Sequence, residues 1–272
     1  MSEAAISPPV DVLFGGYALD LDGTVYLGDH LFPGVAEAVR ALRDSARVVF
    51  VTNKPLETAQ SYAAKLTSLG IPTSPEDIVT PLDALVRYLV EHHRDVAVLT
   101  IAEQLVDDVL REHGFDVIDD PFDVGVVVVS FDRTFSYEKL LAGYRAVRNG
   151  AVIVATNPDP YCPTPDGGLP DCAAMLAALE ACTGARAEAI VGKPSEHMGR
   201  AILHRLNVEA EYAVVVGDRL ATDIAMAESL GASSVLVLTG VTSTEDLIRS
   251  AIQPSFVVRS VADLAPAELE AQ

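Results

Sequence analysis

Eight short apolar runs constrain this chain more than any other feature. YALDLD (17–22), RVVFVTN (47–53), DVAVLTI (95–101), DVGVVVVSF (123–131), AVIVATN (151–157), YAVVVGD (212–218), SVLVLTG (234–240) and SFVVRSV (255–261) are apolar almost throughout. A strand with one wet face alternates apolar and polar residues, whereas a strand buried on both faces does not. Between the runs lie stretches with helical spacing, such as GVAEAVRALRDS, PLETAQSYAAKLTSLG, AEQLVDDVLREHGF, YEKLLAGYRAVRNG, CAAMLAALEACTG and SEHMGRAILHRLN. Gly70, Gly114, Gly150, Gly184 and Gly231 each stand just past a helical stretch, where glycine ends helices. This alternation predicts a three-layer α/β protein whose parallel strands are joined by right-handed crossovers. No short-period repeat interrupts it, and the first ten residues and the last few read as frayed tails.

At 272 residues the chain has room for one large domain or two modest ones. No apolar run reaches membrane-spanning length, and the N-terminus lacks a basic-then-apolar signal pattern, so a cytoplasmic location is expected. The formal charge of −20 argues against nucleic acid and against anionic membranes as partners. Cys162, Cys172 and Cys182 form an odd set with no C-x-x-C pair. They argue against a disulfide framework or a zinc site and read as small buried or half-buried apolar residues. The acidic balance is a puzzle if the substrate is an anion, and only four lysines are present, Lys54, Lys65, Lys139 and Lys193.

Several apolar runs end in polar residues: Asp20 and Asp22, Thr52 and Asn53, Asn157, and Asp218. Open α/β sheets bind ligands outside the carboxyl ends of their strands, so these residues gather where a site is expected. Side chains two apart on a strand face the same way, which would set Asp20 beside Asp22. The pair would repel unless a cation lay between them, and a hard cation such as magnesium, held through oxygen, is the economical answer. A solvated turn rich in Asp and Gly is the alternative. The calcium loop of an EF-hand does not fit, because Gly23 at its sixth position puts Ala18 at the first and Asp29 at the twelfth.

In VTNKPLETAQ and VGKPSEHMGR a proline follows a lysine where a helix is expected to begin. Lys54 and Lys193 would then stand at helix N-termini, whose partial positive charge disfavours a cation and suits an anion. A solvated lysine is the alternative at both places, and for Lys54 it is as good a reading. VGKPS is not a phosphate-binding P-loop, since Ala187 and Pro194 replace residues that motif requires. Asp218, after Gly217 and a fully apolar run, reads as a third metal-side carboxylate. Asp223 is equally an ordinary acid where a helix opens. There is no G-x-S-x-G, H-E-x-x-H or G-x-G-x-x-G. His92 and His93 close a helical pattern and read as solvated.

DLDGTV, VTN, GKP and GDRLATD resemble, in order, the four motifs of haloacid dehalogenase-like phosphatases. The span from Thr52 to Lys193 holds about a hundred residues more than a minimal strand–helix passage needs. In that family such an insertion is a mobile cap, and the βαβα pattern here is similar to the α/β cap of the NagD-like subfamily. FDRTFSYEKL, ATNPD and DGGLPDCAAMLAALE are similar to the arabinose-operon sugar phosphatase branch. The resemblance implies a Rossmann-like core with a parallel sheet, residues 1–81 and 185–272, and an inserted α/β cap domain, residues 82–184. It implies a magnesium-dependent phosphatase of small phosphorylated metabolites, with sugar phosphates foremost. Phosphoglycolate, glycerol phosphate or pyridoxal phosphate are narrower alternatives, the last disfavoured because ATNPDPYCPTPDGGLPD contains no histidine. A phospho-acceptor domain or a metabolite-binding module are the non-catalytic ones.

Carried over by position, the resemblance makes Asp20 the nucleophile that becomes an aspartyl phosphate, and Asp22 the general acid and then the base. It gives Thr52, Asn53 and Lys193 the transferring phosphoryl oxygens, with Lys54 and Asn157 as further substrate contacts. Magnesium would be held by Asp20, the Asp22 backbone carbonyl and Asp218, with Asp223 orienting the sphere. The segment 156–168 is expected to face the leaving group. Caps of related proteins often dimerise, which leaves a homodimer through the cap open.

Overall fold

The computed structural model describes residues 14–164 and 167–265, so the expected frayed tails lie outside the described residues. Among these, the chain divides into two compact units. One takes in the chain up to Thr52, then Ala59–Val79, then the chain from Gly199 onward; the other takes in Asn53–Thr58 and Thr80–Met198. The elements of the first unit begin with β1 (Gly16–Asp20), the short hairpin β2 (Tyr26–Leu27) and β3 (His30–Leu31), and α1 (Val35–Arg43). They continue through β4 (Arg47–Val51), α2 (Ala59–Ser68) and β5 (Ile78–Val79). The second unit supplies α3 (Pro81–His92), β6 (Val98–Ile101), α4 (Gln104–Glu112), β7 (Val126–Val129), α5 (Tyr137–Arg148) and β8 (Val152–Ala155). A hairpin of β9 (Tyr161–Thr164) and β10 (Gly167–Pro170), then α6 (Cys172–Thr183) and β11 (Ala189–Ile190), complete it. Helix α7 (Glu196–Leu206) crosses the division, and β12 (Ala213–Gly217), α8 (Ala225–Leu230), β13 (Ser233–Val237), α9 (Thr244–Arg249) and β14 (Phe256–Val258) finish the first unit.

The first unit holds a six-stranded, all-parallel sheet in the order β14-β13-β12-β1-β4-β5. Tyr17, Leu19, Val48, Phe50, Val214 and Val216 share one core with Val35, Val39 and Leu42 of α1 and Tyr62 and Leu66 of α2. The intervening residues Ala18, Val49 and Val215 are buried as well, so both faces are covered and the runs do not alternate. Each Val or Leu fully buried this way contributes about 1.5–3 kcal/mol. The strand order places the site. From β1 the chain builds outward through β4 to β5, then returns to the other side of β1 and builds outward from β12. That reversal between β1 and β12 is the switch point where such sheets bind ligands.

The second unit holds a four-stranded parallel sheet in the order β11-β8-β7-β6. Leu99, Ile101, Val127, Val129, Ile153 and Ala155 pack with Ala146 of α5 and Met175, Leu176 and Leu179 of α6. The sequence expectation for the insertion was 82–184; β11 lies beyond it, because Ala189 and Ile190 pair with Val154 and Ala155 of β8. Thr80 opens α3 with a reciprocal capping box: its hydroxyl accepts from the Asp83 N–H while the Asp83 carboxylate accepts from the Thr80 N–H at 2.8 Å. The five expected terminal glycines all have positive φ, from 71° at Gly231 to 108° at Gly150. The two hairpins, β5 and β11 were not expected. His93, expected in solvent, lies 2.6 Å from Glu188 Oε1, which also accepts from the Tyr88 hydroxyl at 2.7 Å. Cys162 and Cys172 are buried and Cys182 is exposed, with no disulfide among the described residues.

Candidate active site

Asp20 is the last residue of β1, and Asp218 directly follows β12. These strands are parallel neighbours, with Leu19 opposite Val216, so they deliver both carboxylates to the same edge of the sheet. Asp223 comes from the wide helical turn Leu220–Ile224 just beyond. That turn lies close over the end of β12: a Cβ on Gly217 would stand 2.2 Å from Asp223 Cγ, a space only glycine leaves. One carboxylate oxygen from each of Asp20, Asp218 and Asp223 lies within 4.8 Å of the others, and all three residues are buried. Buried carboxylates this close repel and are costly to desolvate without a cation among them. An all-oxygen donor set suits a hard divalent cation such as magnesium and not a thiolate- or imidazole-preferring metal. The residues present fit that group.

Asp22 contributes no carboxylate to this cluster. The two-residue spacing argument for Asp20 and Asp22 assumed that the strand continues, whereas β1 ends at Asp20. The N–H groups of Thr24, Val25 and Tyr26 all converge on the Leu21 carbonyl, at 3.2, 2.9 and 3.2 Å. The chain therefore turns immediately after Asp20, and the strand's two-residue period no longer applies. Asp22 is half-buried within this turn. Thr52, buried at the end of β4, donates its backbone N–H to Val79 O at 3.1 Å.

A second group of expected residues comes together in the other unit. Asn53 Oδ1 accepts from the Lys193 N–H at 2.8 Å, and its Nδ2 donates to Asp159 Oδ2 at 2.7 Å and to Lys193 O at 3.3 Å. Asn157, fully buried, donates from Nδ2 to Asn53 O at 3.1 Å and to Asp171 Oδ1 at 3.5 Å, while its Oδ1 accepts from the Asp159 N–H at 3.0 Å. Asn53 was expected to meet the phosphoryl oxygens and Asn157 to make a further substrate contact. The structure instead commits them to tying the segments around residues 53, 157–159, 171 and 193 to one another. Lys193 is also buried.

Neither lysine stands in a helix's first turn. Helix α7 opens at Glu196, because the Ser195 hydroxyl caps it, accepting from the Met198 N–H at 3.3 Å and donating to Val191 O at 2.6 Å. Lys193 and Pro194, joined by a cis peptide bond, lie in the turn before. Lys54 lies ahead of α2, which opens only at Ala59.

Asp159, expected within the segment 156–168 to face the leaving group, and Asp171, which was not expected in the site, both belong to this group. The signal for Asp171 was present, an acid directly before the CAAMLAALE helix. It caps α6, accepting from the Cys172 N–H at 2.6 Å. Burial pushes its carboxyl up to about 6; the Cys172 N–H pulls it down, the Asp159 charge raises it, and the Asn157 amide and the Lys54 charge lower it. On the β9–β10 hairpin Tyr161 is 58% exposed, and residues 165 and 166 of the segment 156–168 lie outside the described residues.

Comparison with known proteins gives concordant results. A family model described as haloacid dehalogenase-like hydrolase matches residues 17–116, and one described as HAD-hydrolase-like matches residues 190–264. Sugar-phosphatase AraL of Bacillus subtilis is 34% identical over 92% of this chain and 91% of its own length. The glycerol phosphate phosphatase of Mycobacterium tuberculosis, solved in complex with magnesium, superposes with a TM-score of 0.86 at 32% identity, over 93% of this chain and 76% of that one. NagD of E. coli K-12 superposes with a TM-score of 0.85 at 29% identity, over 92% of this chain and 98% of that one.

Proposed function

The chain belongs to the haloacid dehalogenase-like hydrolases, as a NagD-like phosphatase of phosphorylated small molecules, and on that premise we propose that it is a magnesium-dependent phosphatase of sugar phosphates working through an aspartyl phosphate. The observation that carries the reading is the buried cluster of Asp20, Asp218 and Asp223 beside the switch between β1 and β12. The Asp20 carboxylate attacks phosphorus as the ester bond to the leaving oxygen breaks, and Asp22 gives that oxygen its proton. Asp22, now ionised, takes a proton from water as the water attacks the phosphoryl group, which frees Asp20 and releases phosphate.

Asp20, the Asp22 carbonyl and Asp218 would hold magnesium, with Asp223 orienting its sphere; when bound, the ion supplies positive charge against the phosphoryl oxygens. Thr52, Asn53 and Lys193 are assigned the transferring oxygens on motif order, with Asn53 left to act through its main chain because its side-chain amide is committed elsewhere. Lys54 is assigned a further substrate contact. Asn157 is assigned the support of Asn53.

The inserted unit is read as the family's cap domain, with the exposed Tyr161 as a specificity residue. Sugar phosphates are favoured by the activity for which the Bacillus subtilis relative is named, and glycerol phosphate by that of the Mycobacterium tuberculosis neighbour. The reading places the enzyme in the cytoplasm. No described helix is long and apolar enough to cross a membrane, and the net charge of −20 gives nucleic acid no part. A second copy joined through the cap belongs to the same resemblance. The test is phosphate release with magnesium across sugar phosphates, phosphoglycolate, glycerol phosphate and pyridoxal phosphate. Turnover of sugar phosphates ahead of the rest is expected; ester binding without phosphate release would overturn the reading.

A further inference from the structure

The turn after β13 carries no expected site residue, yet it bears on Asp218 in three ways. The Val241 N–H donates to Asp218 Oδ2 at 2.6 Å. The Thr242 N–H donates to the Asp218 main-chain oxygen at 3.2 Å. Gly240 comes so close that a Cβ there would stand 1.9 Å from Asp218 Oδ2. Gly23, which has φ of 89°, lies against the same oxygen: a Cβ there would stand 2.6 Å from Asp218 Oδ2 and 3.2 Å from Gly240 Cα. These two turns are joined: the Thr239 hydroxyl donates to Gly23 O at 2.6 Å. The arrangement follows from the strand order β13-β12-β1. The turns leaving the outer two strands meet over the end of the middle one, where Asp218 stands.

A carboxylate rotates about its last bond unless something holds an oxygen. A charge-assisted bond from a fixed backbone N–H to one oxygen also sets the direction of the other. We propose that Thr239 is a positioning residue for the cation site: its bond to Gly23 O holds the 239–241 turn against Asp218 and so orients that carboxylate toward Asp20 and Asp223. Thr239 acts through Asp218. The inference rests on reading the three carboxylates as a magnesium site.

The test titrates magnesium chloride into cation-free protein by calorimetry, with no substrate present. Thr239→Val keeps the side chain's shape and removes its donor, while Thr239→Ser keeps the donor. Loss of a group that orients a metal ligand weakens metal affinity about 10–100-fold, and a rise of that order in the magnesium Kd is expected for the Val variant. The Ser variant should stay near wild type. Val241→Pro, at a side chain that is itself exposed, deletes the N–H on Asp218 and forms an independent arm with the same expected direction. Melting temperatures of the cation-free proteins are read alongside. A purely structural role would lower them and leave the Kd unmoved, which overturns the proposal. Wild-type binding with an unchanged Kd in both the Val and Pro variants overturns the role of Thr239 alone. Absence of magnesium binding by the wild type overturns the cation reading beneath it.

Discussion

Asp171→Asn separates the cost of a buried charge from the value of the bonds it makes. Asp171 is 3% exposed and holds its proton up to about pH 6, against 3.8 for the same group in an unfolded chain. Because the folded pKa lies above the unfolded one, the native state binds the proton more tightly. This group's stability contribution is therefore fullest below pH 3.8, falls as pH rises through the interval from 3.8 to about 6, and is flat above it. Each pKa unit is worth about 1.4 kcal/mol, so ionising Asp171 in place costs the fold about 3 kcal/mol at neutral pH. Asparagine does not ionise, caps helices as well as aspartate does, and keeps an oxygen for the Cys172 and Asn157 donors. The variant should match wild type near pH 4 and exceed it at pH 7.5 by about 2–3 kcal/mol. Urea unfolding across that pH range measures the difference, and hydrogen exchange over residues 172–183 ties the transition to α6. A stability difference independent of pH would refute the reasoning, because it would mean that desolvation does not govern this carboxyl.

Asp20→Asn should give neither phosphate release nor an adduct. Asp22→Asn should lose about 10²–10⁴ in rate and accumulate an acid-stable, hydroxylamine-sensitive phosphoenzyme at Asp20 with an activated ester, as read by intact-mass spectrometry. An adduct on Asp20→Asn would reverse the assigned roles. Chelator should abolish phosphate release and magnesium restore it, with calcium a poor substitute because its longer, looser coordination misplaces the nucleophile; full activity in excess chelator would remove the metal from the mechanism. Tyr161→Ala should reorder preference among substrates while sparing a small aryl phosphate. Asn157→Ala, which unties Asn53, should depress all substrates together, and the opposite pattern in kcat/KM would exchange the two roles.

Much of this was legible in the chain itself. All eight apolar runs are parallel strands, since burial on both sheet faces removes the alternation that a wet face would impose. The glycines past the helices were legible because a left-handed closing residue has few other candidates. Asp20 and Asp218 were legible as strand-end carboxylates, each following an apolar run that has no other use for a charge.

Tertiary structure decided which of these residues meet. The spacing of Asp20 and Asp22 suggested a shared strand face, but the strand ends at Asp20, and the carboxylates that cluster with Asp20 are those of Asp218 and Asp223, because β1 lies beside β12. The amides of Asn53 and Asn157 looked available to a ligand until their partners at 159, 171 and 193 were in place. Thr239 carried no signal, since its bond to Gly23 depends on two turns from opposite ends of the chain meeting over a third. Periodicity and end residues report how each strand is buried and where it stops, which are local properties. Strand order is a property of the whole sheet, and nothing in a single run encodes its neighbours.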